Sequence, residues 1–165
     1  MSEQGKQGEQ RLVVGIDLGT TNSIAALRAG KETAHVLRDQ GADPLTPSMV
    51  CFHPDGRTLV GHEAKALRLE HPDRTVFSVK RLIGRSMSDC QDDLRDLPYR
   101  VVAGDRDLPR VQVDDRQLSP EEVSALVLER LKQTAEQAVG QTITEAVVTV
   151  PAWFDDAQRL SLIHI

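Results

Sequence analysis

Aromatic side chains are scarce in this sequence: one Trp, one Tyr and three Phe among 165 residues. A core built from it has to be aliphatic, and the scarcity argues against a surface that stacks nucleic-acid bases on exposed rings. An excess of positive charge is also missing, with 20 Lys and Arg against 25 Asp and Glu. Without a basic footprint for a phosphate backbone, nucleic acid is not an expected partner. No apolar run approaches the roughly 18 residues that cross a bilayer, so no membrane association is expected. Residues 1–10, MSEQGKQGEQ, contain no apolar stretch and read as a flexible leader, not a secretory signal. Two cysteines, Cys51 and Cys90, make neither a disulfide framework nor a zinc site. The five histidines are scattered, with no metal-ligand spacing. A cytoplasmic location is the default expectation. Hydrophobic residues still make up 39%, and the length is about one domain's worth of foldable chain.

Short apolar runs open the chain. RLVVGID (11–17) reads as a buried strand ending in Asp17, and GTTN leads into a second run, SIAALRAG, closed by Gly30. ETAHVLRD follows with alternation, so three strands joined by tight turns predict an antiparallel start to a sheet. In DPLTPSMVCFHPDGRTLVG the PDG triplet is a turn signal between two strand-like pieces. GHEAKALRLEH then fits a short helix stopped by Pro72. DRTVFSVKRLIG repeats apolar residues at helical spacing through Val76, Val79, Leu82 and Ile83. Residues 88–118 are polar and irregular, with strand-like fragments YRVVAG and PRVQV. The clearest helix starts at Ser119, an apt N-cap, with Pro120 in the first turn and Glu122 completing a capping box. Val123, Val127, Leu131 and Ala135 mark its buried face, and Gly140 supplies the stop. EAVVTV is a further buried-strand run, ended by Pro151. Helix followed by strand predicts an α/β layer in which this last strand joins the first sheet.

Three segments have residue types suited to chemistry. In Asp17-Leu18-Gly19-Thr20-Thr21-Asn22, a glycine permits close backbone approach and two hydroxyls can donate to phosphate, while Asp17 can hold magnesium through water. The segment lies between two strands, which excludes the strand–loop–helix phosphate loop with its GK[ST] ending, and no GxGxxG occurs. Asp17 and Asn22 equally suit a simple hairpin turn. The second candidate is Lys80. On a helix it falls about 40° from Val76, inside the apolar arc, whereas Arg74, Arg81 and Arg85 fall at about 140–180°. A lysine on the apolar side needs a partner or a cleft, unless it snorkels to water. The third is VPAWFDDAQR (150–159). Asp155 and Asp156 suit the positive end of a helix; as neighbours they diverge by about 100° and do not converge on one atom.

In order and spacing, VVGIDLGTTNS, LTPSMV, SVKRLIGR, EEVSALVLERLK and EAVVTVPAWFDDAQR resemble the N-terminal part of a heat-shock 70-kDa (DnaK-like) chaperone. The resemblance runs from about Arg11 to Arg159. It implies an α/β fold of actin-like (ribonuclease H-like) type, a mixed sheet with flanking helices, forming the first lobe of an ATPase domain, with about 46–118 as an inserted subdomain. It further implies ATP/ADP and magnesium as cofactors. By the resemblance Asp17 organises the water ligands of magnesium, and Gly19, Thr20, Thr21 and Asn22 belong to the first phosphate loop. Lys80 is the catalytic lysine reaching the γ-phosphate and the attacking water, and Pro151 and Arg159 are the switch and relay that report nucleotide state. The implied partners are unfolded client polypeptides, a J-domain co-chaperone and a nucleotide-exchange factor.

The sequence departs from the family in places. Trp153 stands where the family usually has Tyr, and 86–118 matches the common members poorly; SVKRLIGRSMSD and FDDAQR lean toward divergent or iron–sulfur-assembly branches. After Arg159, LSLIHI (160–165) departs from the family's Gln- and Ala-rich helix and reads as a foreign tail on a truncated gene. The expectation is a parent that hydrolyses ATP and a fragment that is inactive alone and marginally stable. A sugar or acetate kinase lobe of the same superfamily explains GIDLGTT but not the other segments together. A non-enzymatic interaction module predicts decay of the loop residues, yet Asp17, Thr20, Thr21 and Lys80 are all present.

Overall fold

The computed structural model describes residues 12–28, 33–39, 43–152 and 154–163. The expected leader, Arg11, Gly30 and Trp153 lie outside them. The first sheet is built as the opening runs predict. β1 (Val13–Asp17) and β2 (Asn22–Leu27) pair antiparallel, and β2 pairs antiparallel with both β3 (His35–Val36) and β4 (Thr46–Pro47). The late strand β11 (Glu145–Thr149) joins the other side of β1 in parallel, from Val13 opposite Glu145 to Asp17 opposite Thr149. Antiparallel and parallel pairs in one sheet make the architecture a mixed α/β one, as expected.

The period of two in β1 and β2 sends Val14, Ile16, Ala25 and Leu27 to one buried face. α3 (Pro120–Val139) covers that face with Val123, Val127, Leu131 and Ala135. Its ends are local chemistry. Ser119 Oγ accepts the Glu122 N–H at 3.0 Å while the Glu122 carboxylate accepts the Ser119 N–H at 2.6 Å, and Gly140 closes the helix at φ 70°.

Two smaller sheets lie between β4 and α3 in sequence. β5 (Met49–Phe52) pairs antiparallel with β6 (Thr58–Val60) across the PDG turn and with β7 (Thr75–Phe77) on its other side. α1 (His62–Leu67) packs on β5 through buried Ala64. Residues 88–118 are more regular than their polarity suggests. They hold α2 (Gln91–Leu94) and an antiparallel sheet of β8 (Arg100–Ala103), β9 (Pro109–Val113) and β10 (Arg116–Leu118). Val111 and Val113 of β9 are buried, so its other residues give the segment its polar look.

Two expectations are corrected. DRTVFSVKRLIG is not a helix. Val76 pairs with Val50 in β7, Ser78 turns left-handed at φ 57°, and only a short 3-10 turn, Val79–Leu82, follows. The β-branched Thr75 and Val76 favour the strand once β5 offers a partner. EAVVTV is not a buried run either. β11 is the edge of its sheet, and Val147 is 62% exposed. No helix among the described residues is long and apolar enough to cross a membrane. Cys51 and Cys90 are buried free thiols.

Candidate functional site

β1 delivers Asp17 to the point where the sheet turns. Because β11 runs parallel in register, Thr149 lies beside it, and the Thr149 hydroxyl donates to Asp17 Oδ1 at 2.7 Å. Asp17 is exposed, and this hydrogen bond orients its carboxylate while leaving it in reach of solvent.

The turn from Leu18 to Thr21 is tight for a steric reason. A Cβ on Gly19 would stand 2.0 Å from the Asn22 carbonyl oxygen, which no other residue permits without moving the loop. The glycine is therefore needed to close the turn, and its N–H points inward, donating to Ser23 Oγ at 3.2 Å. The Gly19 carbonyl accepts the Ser48 hydroxyl at 2.8 Å, and the Thr21 carbonyl accepts the Ser48 N–H at 2.9 Å. Thr20 is half-buried, and Thr21 and Asn22 are exposed.

Lys80 reaches this turn from the 3-10 segment. Its residue is 7% exposed, its Nζ donates to the Leu18 carbonyl, and Nζ lies 5.5 Å from the Phe154 ring centroid. Burial pushes the Lys80 amine below its ordinary range, and the charge of Asp17 partly opposes the shift. A buried ammonium beside a loop of backbone dipoles has the chemistry to meet an anion. The structure thus brings Lys80, Asp17 and the 18–22 loop together. The inward direction of Lys80 agrees with the sequence reading, although the helix on which that reading was based does not form.

Pro151 follows β11 and its carbonyl accepts the Phe154 N–H at 3.1 Å. α4 (Asp156–Ile163) comes next. Asp155 caps it: its Oδ1 accepts the Gln158 N–H at 2.8 Å, and Gln158 Oε1 accepts the Asp155 N–H at 3.1 Å. Capping is what the sequence indicated for this pair of acids. Arg159 is exposed on α4, and its N–H bonds the Asp155 carbonyl at 3.0 Å. Of the two relay candidates, Pro151 lies three residues from the ring that faces Lys80, while Arg159 projects to the surface.

Sequence reasoning missed Thr149, Phe154, Ser23 and Ser48. None of the four carried a signal in the sequence; Thr149, for one, stands opposite Asp17 only through the register of β1 and β11. A separate apolar groove of about 640 Å³, lined by Val14, Ile16, Leu128, Ile143, Val148 and Leu162, contains none of the polar groups above. The polar side chains suited to chemistry gather at the loop and not in that groove. A family model described as Hsp70 protein matches residues 13–164, a range that includes the loop, the lysine and the capped helix, and the chain belongs to that family.

Proposed function

We propose that the chain is the first lobe of the ATPase domain of an ATP-dependent chaperone, with the 18–22 loop, Lys80 and Asp17 handling the phosphates of ATP or ADP. The observation that carries this reading is the buried Lys80 amine, held on the Leu18 carbonyl at the root of the loop and beside Asp17. The mixed α/β lobe and the family membership support it.

The residues present suit nucleotide and magnesium. Gly19 leaves no room for a side chain where the loop doubles back. Asp17 offers one oriented, solvent-facing carboxylate, which matches a cation that keeps its waters and binds one or two carboxylates together with phosphate oxygens. When bound, the metal supplies neutralisation of phosphate charge. In this reading Gly19, Thr20, Thr21 and Asn22 form the phosphate-facing turn. Lys80 holds positive charge toward the γ-phosphate and positions the attacking water, and Asp17 orients metal-bound water. Pro151 and Arg159 carry nucleotide state away from the site, Pro151 through its link to Phe154. Unfolded polypeptides, a J-domain co-chaperone and a nucleotide-exchange factor are the partners proposed for the whole protein, with a cytoplasmic location and a role in stress response and refolding. The inserted subdomain at about 46–118 is a proposed boundary.

Calorimetric titration of the chain with MgADP tests the reading. Saturable one-to-one binding that weakens by at least about tenfold in Gly19→Ala, whose Cβ meets the Asn22 carbonyl, is the expected outcome. Equal affinity in the variant, or no saturable binding by the parent chain, overturns it.

A further inference from the structure

We propose that Ser23 and Ser48 are positioning residues of the phosphate loop, closing a ring of hydrogen bonds that holds both backbone polar groups of Gly19 in one orientation. The proposal rests on the phosphate reading of the loop and adds the residues that set its shape.

The ring follows from counting protons. Each serine hydroxyl has a single proton to donate. Ser48 gives its proton to the Gly19 carbonyl at 2.8 Å. The 2.9 Å contact between the two hydroxyls must then be donated by Ser23. Ser23 Oγ in turn accepts the Gly19 N–H at 3.2 Å. The path runs from the Gly19 N–H to Ser23, to Ser48, and back to the Gly19 carbonyl, with every donor pointing the same way round. Such a chain is mutually polarising, and burial strengthens it. Ser23 is 1% exposed and Ser48 7%.

The two serines are brought together by strand pairing, not by the loop itself. Ser23 lies on β2 opposite Thr46 of β4, and Asn22 lies opposite Pro47. Ser48 is the next residue, and its N–H also holds the Thr21 carbonyl at 2.9 Å. Two backbone groups of the turn, the Gly19 and Thr21 carbonyls, are thus tied directly to Ser48, and the Gly19 N–H is tied to it through Ser23. A turn whose peptide groups are fixed before a ligand arrives loses less freedom on binding, so the ring raises affinity by preorganisation.

Amide NMR of the labelled full chain, with MgADP and magnesium pyrophosphate as probes, tests the assignment. Without ligand, the Gly19 amide is expected to be protected from exchange, and to exchange about tenfold faster in Ser48→Ala and in Ser48→Cys, which keeps the size but donates weakly. Both variants are expected to bind MgADP about tenfold more weakly, with the Thr20 and Thr21 signals broadened while those of α3 stay in place. Should Ser48→Ala fail to fold, Ser48→Cys and Ser23→Ala carry the same comparison. Wild-type affinity in Ser48→Cys means that size and not the hydrogen bond matters, and overturns the proposal. Absence of MgADP binding by the parent chain overturns the phosphate reading and the ring's part in it. Gly19 protection in the ligand-free chain then separates that failure from a missing ring.

Discussion

Gln158, on α4, donates its side-chain N–H to the carbonyl of Ile83 at 3.1 Å, across 75 residues of sequence. The same side chain accepts the Asp155 N–H through Oε1, so one buried amide both caps α4 and seats it on the segment that holds Lys80. The approach is close because Gly84 is beside it. A Cβ there would stand 2.6 Å from Gln158 Cγ and 3.0 Å from its Cα, and Gly84 has φ +68°. The motif around Phe154 and the motif around Lys80 are thus one packed unit.

Gly84→Ala therefore meets a clash and a left-handed backbone together. The backbone alone costs about 1–2 kcal/mol. The expected outcome is a lower urea midpoint and faster amide exchange through α4, with α3 unaffected. Unchanged exchange in α4 would show that the contact is loose.

Lys80 gives a pH dependence with a definite sign. Its folded-state value is lowered from 10.5 by burial, so in the alkaline window below 10.5 the unfolded chain holds a proton that the folded chain has released. Stability then rises with pH across that window, by at most about 1.4 kcal/mol per pH unit. Lys80→Met removes the dependence. In paired melts, the parent chain is expected to gain on the variant as pH climbs from neutral toward 10.5. MgADP affinity falls over the same range, because only the ammonium attracts phosphate. A constant gap between the two melting curves would place the amine in water.

The Asp39 carboxylate is buried, at 4% exposure, and paired with Arg130 of α3 at 3.0 and 3.2 Å, while the Thr134 hydroxyl beside it donates to the Arg130 carbonyl at 3.0 Å. Arg130→Met leaves that carboxylate without its cation and is expected to cost about 3 kcal/mol in urea unfolding. Adding Asp39→Leu to it is expected to recover most of the loss, since no charge is then left buried. Equal stability of the single and double variants would refute the pairing.

Legibility in the sequence followed the range of the interactions. α3 was readable from end to end, because Ser119, Pro120, Glu122 and Gly140 act within a turn of their own positions. The opening hairpin was readable too, from alternation and the glycine turn. The 73–84 segment was misread because Val76 takes its conformation from Val50, and apolar spacing alone does not distinguish a strand in such a pair from a helix. The exposure of Val147 was missed for a similar reason: its composition suits a central strand, and only the strand order puts it at an edge. At the site, Asp17, Gly19 and Lys80 could be named from residue type and order. Ser23, Ser48, Thr149 and Phe154 could not, since serine, threonine and phenylalanine are common and carry meaning here only through what they touch.

The scarcity of aromatic residues required a mainly aliphatic core, and valines, leucines and isoleucines of β1, β2, β5, β7, β9 and α3 make up most of it, with Phe52 and Tyr99 beside them. That much, with the helix caps and the steric demand at Gly19, was determined by the sequence alone, because each depends on side-chain chemistry within a few residues. The direction of Lys80, the hydrogen bond from Thr149 to Asp17 and the ring through Ser23 and Ser48 were decided only by tertiary structure. Their partners lie 62, 132 and 29 residues away, and strand pairing and burial, which local spacing does not encode, bring them within reach.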